Sequence, residues 1–150
     1  MTTVNVRPME FVSLAESIGR MVAGGVLFAA GLVKLWMGPQ SFARAILDYR
    51  LIPAALAVPL ARALPAMEIV IGAALLTGLL VRPAVLAGTA LLVIFSGAVA
   101  AALAREQRNA CGCGVSVGAR RGVVSRRLIA RNAFLTALLW VAYIGTEGVR

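Results

Sequence analysis

Between Pro83 and Ala104 the chain reads PAVLAGTALLVIFSGAVAAALA, a run without a single charged side chain. A helix needs about 20 apolar residues to cross roughly 30 Å of hydrocarbon. Three further apolar runs of about this length cover Ile18–Met37, Leu56–Leu80 and Leu128–Gly145. Because backbone polar groups in lipid must be satisfied internally, such runs form helices rather than strands. The sequence therefore predicts an all-α integral membrane protein, a four-helix bundle.

The overall composition agrees with this prediction. Apolar residues make up 61% of the chain, and its mean hydropathy is +0.91. A soluble domain cannot present that much apolar surface to water, whereas a bilayer covers it. Four spans use most of the 150 residues, so we expect residues 1–150 to form one transmembrane domain. The first run begins too far from Met1, and is too long, for a cleaved signal, so we expect it to remain as a span.

Charge and histidine content exclude several classes of function. The net charge is +9, but the basic residues flank apolar spans and are not interleaved with aromatics, so we expect membrane lipid and no nucleic acid as partner. The chain has no histidine, which excludes a His-ligated haem and any zinc or copper site that uses histidine. Two cysteines cannot close a Cys₄ site within one chain. We therefore expect neither haem nor a metal.

Four spans place the first and third loops on one side of the membrane. Without Arg131, which begins the fourth span, ten of the Lys and Arg residues lie beside those two loops, and four lie on the opposite side. This bias favours a cytoplasmic location for the first and third loops.

The first loop is expected to contain a short helix over Gln40–Arg50. Its apolar residues recur at i, i+3, i+4 and i+7: Phe42, Ala45, Ile46 and Tyr49. This spacing is typical of a helix that lies in the headgroup region with its aromatic residues inward. Pro39 can begin such a helix, and Pro53 follows its end.

Small residues indicate where the spans pack against one another. Gly24 and Gly31 share a stripe of the first span, Gly72 lies in the second, and Gly88 and Gly97 lie in the third. Membrane helices associate by close backbone approach, so we interpret these stripes as helix interfaces.

Two cysteines in the third loop are the first candidates for chemistry. In Cys111-Gly112-Cys113-Gly114 the thiols are one residue apart, and such a pair can form a strained, labile disulfide. Nearby arginines favour the nucleophilic thiolate. Cys-x-Cys is a weak motif, so two other interpretations stay open: unreactive loop cysteines, and half of a zinc site shared with another subunit.

Charged residues in the spans are the second set of candidates. Glu68 is the only acid within a span, where an unpaired carboxylate costs several kcal/mol. Lys34 ends the first span, and Arg131 and Asn132 begin the fourth. Either basic residue can be an anchor near a helix end or the ion-pair partner of Glu68, and Glu68 can serve structure or function.

Topology brings these candidates to one membrane face. The first span ends, the second begins, the third ends and the fourth begins on the same side. We therefore predict one site, with Cys111 and Cys113 as catalytic residues. The predicted cofactor-binding residues are Lys34, Tyr49, Glu68, Arg131 and Asn132.

The order of these motifs resembles the MauE proteins of methylamine utilisation, within the wider DoxX-like group of four-helix membrane proteins. The likeness runs from about Gly19 to Val141. It is carried by Gly31-Leu32-Val33-Lys34-Leu35, Pro39, Phe42, Ala45, Tyr49-Arg50-Leu51-Ile52-Pro53, Leu64-Pro65, Glu68, Cys111-Gly112-Cys113-Gly114 and Arg131-Asn132. The family usually has an aromatic residue after the second cysteine, where this chain has Gly114.

The resemblance implies a protein of the bacterial inner membrane that works with a thioredoxin-like partner in disulfide formation or maturation of exported proteins. Cys111 and Cys113 would exchange electrons with a partner thiol, and the bundle end near Lys34, Glu68 and Arg131 would hold a quinone or the tail of a partner protein. The resemblance leaves open whether the chain is itself a thiol–disulfide oxidoreductase. Exchange with an exported protein needs the cysteines outside, whereas the arginine count favours the inside.

Two other functions are compatible with the sequence. One is a non-catalytic accessory or assembly subunit that packs against a larger membrane complex through the glycine stripes. The other is a small proton-coupled exporter that uses Glu68, although few aromatic residues occur in the spans to line a cavity.

Overall fold

The computed structural model describes residues 7–104 and 126–147, and this part of the chain is entirely helical apart from short connections. The helices are α1 (Arg7–Met37), α2 (Pro39–Asp48), α3 (Ala54–Thr77), α4 (Val81–Ala104) and α5 (Arg126–Glu147). All except α2 are long and apolar enough to cross a membrane. The predicted all-α, four-span membrane architecture is therefore confirmed, and so is the short helix between the first two spans.

The helix bounds differ from the apolar runs by at most three residues, except at the beginning of α1. Helix α1 begins at Arg7, although its apolar span covers only Leu14–Met37. A helix satisfies its own backbone hydrogen bonds in water as well as in lipid, so it need not end where hydropathy falls. Helix α3 ends at Thr77 because Gly78 adopts φ +76°, the left-handed conformation that terminates helices.

Helices α1 and α3 form the most extensive interface, and α5 packs against both α1 and α4. The shared core is apolar and includes Ala23, Leu75 and Leu139, all fully buried. Large apolar side chains also cover the outside of the bundle, for example Val70 and Ile144. Such a surface is suited to lipid rather than water.

Close backbone contact between α1 and α3 confirms the predicted role of three glycines. A Cβ atom added to Gly72 would lie 2.7 Å from the Gly24 carbonyl oxygen, and one added to Gly31 would lie 2.8 Å from the Pro65 carbonyl oxygen. No described atom would lie within 4 Å of a Cβ at Gly97. Gly97 therefore contacts no neighbouring span within the described residues, and its predicted role at a helix interface stays a prediction.

Helix α2 lies against the beginning of α3. Pro39 opens it after Gly38, whose φ of +82° turns the chain away from α1. The apolar face is inward: Phe42 is buried against α3, and Tyr49 is buried just after the helix ends. Arg44 is exposed on the opposite face. The amphipathic pattern thus predicted both the helix and its orientation.

Candidate functional site

A buried ion pair lies between α1 and α3. The Lys34 ammonium donates a hydrogen bond to Glu68 Oε1, and the two residues are only 3% and 1% exposed. Gly31 makes this contact possible because, without a side chain, it lets α1 approach the Pro65–Glu68 turn of α3. Removing both charges from solvent is expensive, so the pair is stable only while the two partners stay together.

Two phenyl rings cover the Lys34 ammonium. Its Nζ atom lies 5.5 Å from the ring centroid of Phe42 in α2 and 5.0 Å from that of Phe95 in α4. Both distances are within the range of a cation–π interaction, which strengthens when the cation is desolvated. Lys34 therefore joins four of the five helices at one point.

The second carboxylate oxygen of Glu68 is an open acceptor. No described residue donates a hydrogen bond to Glu68 Oε2, although the atom is buried. Arg131 of α5 is close enough to interact electrostatically with the Glu68 carboxylate. The cluster thus consists of two cations, Lys34 and Arg131, and one anion, Glu68. One oxygen atom of that anion accepts no hydrogen bond from a described residue.

Asn132 links α4 to α5. It is 3% exposed, and its Nδ2 donates a hydrogen bond to Ser96 Oγ at 3.2 Å. Ser96 Oγ in turn donates to the Leu92 carbonyl oxygen at 2.8 Å. Arg131 Nη2 donates to Asn132 Oδ1 at 3.5 Å, so the two neighbouring residues are joined by side chain as well as by backbone.

Tyr49 marks the end of the bundle at which this cluster lies. It is buried against Val99 and Ala102 near the end of α4, with Leu128 and Ile129 of α5 packed beside them. The end of α4, the beginning of α5 and the turn after α2 therefore meet, as the four-span topology requires.

The charged cluster lies inside the bundle, below the helix ends that meet at Tyr49. Lys34 is 3 residues from the end of α1. Phe95 is 9 residues from the end of α4, and Asn132 is 6 residues from the start of α5. At about 1.5 Å per residue, these positions are about 5–14 Å deep along their helices. Cys111 and Cys113, predicted as catalytic residues, lie outside the described residues, in the segment that joins α4 to α5.

An apolar pocket of about 320 Å³ lies beside the ion pair, between α2, α3 and α4. Phe42 and Phe95 line it while also covering Lys34. The other lining residues are Ala45, Ile46, Tyr49, Leu51, Ile52, Leu60, Leu64, Ile94 and Ala98. We define this cavity as the α2 pocket, and its wall offers aromatic and aliphatic surface next to a buried charge pair.

Of the predicted cofactor-binding residues, Lys34 and Glu68 are in direct contact, as are Arg131 and Asn132. Tyr49 lies on the wall of the α2 pocket. Phe95 was missed, since a phenylalanine within an apolar span carries no distinguishing pattern. The one signal that could have drawn attention to Phe95 is the small number of aromatic residues in the chain, nine in all.

Within residues 7–104 and 126–147, no three His, Cys, Asp or Glu side chains are grouped to hold a metal ion.

Comparison with known proteins identifies one family. The family model described as "Methylamine utilisation protein MauE" matches residues 11–145, which is nearly the whole chain. Neither a curated protein nor a solved structure matches the chain.

Proposed function

The chain belongs to the MauE family of methylamine utilisation proteins, and from this membership and the geometry above we propose that it is a membrane thiol–disulfide redox component. Its partner in this proposal is a thioredoxin-like protein that acts on exported proteins at the bacterial inner membrane. Cys111 and Cys113 carry the electrons.

The relation between the buried cluster and the cysteine-containing segment carries the proposal. The segment 105–125 leaves α4 after Ala104 and enters α5 at Arg126. Those two helix ends meet near Tyr49, at the end of the bundle nearest the Lys34–Glu68 pair. This connectivity supports a common membrane face for the dithiol and the charged cluster.

The proposed reaction is exchange between the cysteine pair and a dithiol of the partner. A partner thiolate attacks the Cys111–Cys113 disulfide, and a mixed disulfide forms. The second partner thiolate then displaces the chain, which leaves a partner disulfide and a reduced Cys111–Cys113 pair. Two electrons and two protons pass from partner to chain, so this step needs no further oxidant.

Within this reaction the buried cluster has a positioning role. Asn132 and Ser96 hold α5 to α4, and the Lys34–Glu68 pair holds α1 to α3. The helix ends from which the cysteine segment departs are thereby fixed relative to each other. Because the two ends of the cysteine segment are held in place, the thiols of Cys111 and Cys113 can occupy fewer positions. This favours the one orientation in which they can react with a partner.

A quinone is the cofactor that the likeness to DoxX-like proteins implies, and the residues present fit such a group. The α2 pocket is apolar, and the adjacent pair offers an ammonium donor and Glu68 Oε2, an acceptor to which no described residue donates. When bound, a quinone would supply an acceptor for two electrons and two protons.

The redox proposal is tested by trapping the oxidation state of the cysteines. The wild-type protein is mixed with an oxidised or a reduced thioredoxin-like protein, quenched with acid and labelled with a maleimide that adds visible mass. We expect both thiols to be protected after oxidation and free after reduction. Cys111→Ser and Cys113→Ser should each abolish exchange equally, while Ser116→Ala, a matched change in the same segment, should exchange normally. Two thiols that stay free under every condition would refute the proposal.

A second labelling experiment tests the side of the membrane. Intact cells are treated with a membrane-impermeant maleimide before lysis. Labelling of Cys111 and Cys113 in intact cells supports exchange with exported proteins. Labelling only after lysis would confirm the side favoured by the arginine count and would exclude an exported partner.

One observation favours a non-catalytic accessory subunit instead. An open groove between α4 and α5 is lined by small residues that include Gly97, Ala100 and Ala133. Small residues allow a further transmembrane helix to approach closely. If the chain is only an accessory subunit, Gly97→Leu should release it from a co-purifying complex while both cysteine variants behave like the wild type.

A further inference from the structure

We propose that the α2 pocket holds one acyl chain of a membrane phospholipid, whose phosphate group is bound by Arg50 at the rim of the pocket. The inference does not depend on the proposed function, since a lipid can bind whether or not the cysteines react. A quinone that entered the same pocket would have to displace this chain, so the chain is the occupant when no quinone is bound.

The wall of the pocket suits a hydrocarbon chain and disfavours a polar ligand. Of the eleven described residues that line it, only Tyr49 carries a polar group on its side chain. Lys34 and Glu68 are not among them, so a ligand meets no charged side chain on the described wall itself. Burying a polar group against such a wall without a compensating hydrogen bond costs free energy. The part of the ligand inside the pocket is therefore hydrocarbon.

The pocket is a gap between α2 and α4. Helix α2 packs against α3 and α1, and within the described residues no close backbone contact joins it to α4. The gap is open to the bilayer, because Leu51 and Ile94 line the pocket yet are 41% and 64% exposed. If it were unfilled, the side chains that line it would lack van der Waals partners on one side. A chain from the surrounding lipid supplies those contacts.

The depth of the pocket matches one leaflet of a bilayer. Leu60 and Leu64 line it at 6 and 10 residues after the start of α3. Ala98 and Ile94 line it at 6 and 10 residues before the end of α4. At about 1.5 Å per residue, both walls reach about 15 Å from the helix ends, and half of a hydrocarbon core is also about 15 Å thick. The pocket thus extends in the direction in which an acyl chain lies.

Arg50 places a cation at the mouth of the pocket. It follows Tyr49 and precedes Leu51 in the chain, and both of these neighbours line the pocket. Arg50 is exposed, and the apolar stem of an arginine can lie along such a wall while its guanidinium reaches the headgroup region. A guanidinium can bind a phosphate through two parallel hydrogen bonds. A cation at the rim and an apolar wall inside match the two parts of a phospholipid.

The backbone conformation of Arg50 supports a role for its side chain. Its φ is +50°, the left-handed conformation in which a helix usually ends on glycine or asparagine. A residue with a Cβ atom is strained there, so glycine would end α2 at a lower cost in free energy. The arginine therefore contributes something other than the turn, and binding of a phosphate accounts for it.

The test is native mass spectrometry of the purified full-length chain in a lipid-free detergent, titrated with dipalmitoyl phosphatidylglycerol. We expect saturable binding of one lipid to the wild type. Ala98→Phe fills the pocket from α4 and should weaken binding about tenfold or more. Ala100→Phe is the same change on the same helix, but this residue lines the groove between α4 and α5, so its affinity should equal that of the wild type.

A second pair of variants tests the phosphate contact. Arg50→Gly relieves the strain of the positive φ and removes the cation. The protein should therefore keep its stability in detergent, while its affinity for the lipid falls about tenfold, the effect of one hydrogen bond to a charged group. Arg44→Gln removes an exposed cation from the opposite face of α2 and should bind like the wild type. Dipalmitoylglycerol has the same chains without the phosphate, so it should bind to the wild type as weakly as phosphatidylglycerol binds to Arg50→Gly.

Three results would overturn the inference. Equal affinities of Ala98→Phe and Ala100→Phe would show that the acyl chain lies outside the pocket. An unchanged affinity of Arg50→Gly would show that the phosphate is bound elsewhere. Displacement of the lipid by inorganic phosphate would assign Arg50 to a soluble anion. If Ala98→Phe does not fold, Ala98→Leu fills less of the pocket and replaces it in the comparison, with Ala100→Leu as its control.

Discussion

Replacing Lys34 with methionine is expected to destabilise the bundle by about 3–5 kcal/mol, the usual effect of removing one partner of a buried ion pair. Methionine keeps most of the length of the side chain, so little packing volume is lost. What is lost is the counter-charge of Glu68, which is 1% exposed and has no described hydrogen-bond partner other than Lys34. Contacts with the Phe42 and Phe95 rings contribute about 0.5–2 kcal/mol each to the effect.

The double variant Lys34→Met/Glu68→Met should recover most of this stability. With both charges gone, no uncompensated group is left in the interior, and replacing a buried pair by apolar residues is often neutral or stabilising by about 1–4 kcal/mol. The two substitutions should therefore be strongly non-additive.

Reversible unfolding by titration with SDS, followed by tryptophan fluorescence, measures both effects. Of the two tryptophans, Trp140 in α5 is 43% exposed and Trp36 is 92% exposed, so a change in emission reports mainly the loss of packing around Trp140. Arg44→Met removes a positive charge from the exposed face of α2 and is the matched control, expected within about 0.5 kcal/mol of the wild type. The reasoning is refuted if Lys34→Met is as stable as this control, or if the double variant is as unstable as the single one.

Two pairs of glycine substitutions test the packing and the backbone. Gly24→Ala should lower the free energy of unfolding by about 1–3 kcal/mol, because the new Cβ would lie 3.0 Å from the Gly72 carbonyl oxygen. At its neighbour Gly25 no described atom would lie within 4 Å of a new Cβ, so Gly25→Ala should be neutral or stabilising by up to about 1 kcal/mol in the same SDS titration. Gly78→Ala and Gly38→Ala should each lower the thermal midpoint, because both glycines have a positive φ that strains a residue with a Cβ atom. Equal effects of Gly24→Ala and Gly25→Ala would contradict the packing prediction, and unchanged midpoints at Gly38 and Gly78 would contradict the backbone prediction.

The sequence predicted the fold well because hydropathy and helix length are local properties. Any run as apolar as Pro83–Ala104 must satisfy its backbone within one helix in lipid, whatever its neighbours are. The short helix α2 was equally predictable from the spacing of Phe42 and Tyr49. The first helix was predicted too short, because hydropathy measures the apolar span and not the helix, which begins at Arg7.

The candidate site was only partly predictable. Glu68 stood out because a carboxylate in a span needs a partner, yet the sequence offered both Lys34 and Arg131. The chemistry of Cys111 and Cys113 stays a prediction that the described residues do not address. Gly97 shows the opposite limit, since a small residue at helical spacing predicted a helix interface, yet no described atom would lie within 4 Å of a Cβ at this position.

What the sequence determined by itself is the number of spans, the amphipathic helix between the first two, and the need to neutralise one buried acid. Only the tertiary structure decided that Lys34 is the direct partner, that Phe42 and Phe95 cover it, and that a pocket opens beside them. The physical reason is that the close approach of α1 to α3 at Gly31 and Gly72 sets which side chains meet. Contacts between residues far apart in the chain depend on such distances between helices, which no local pattern records.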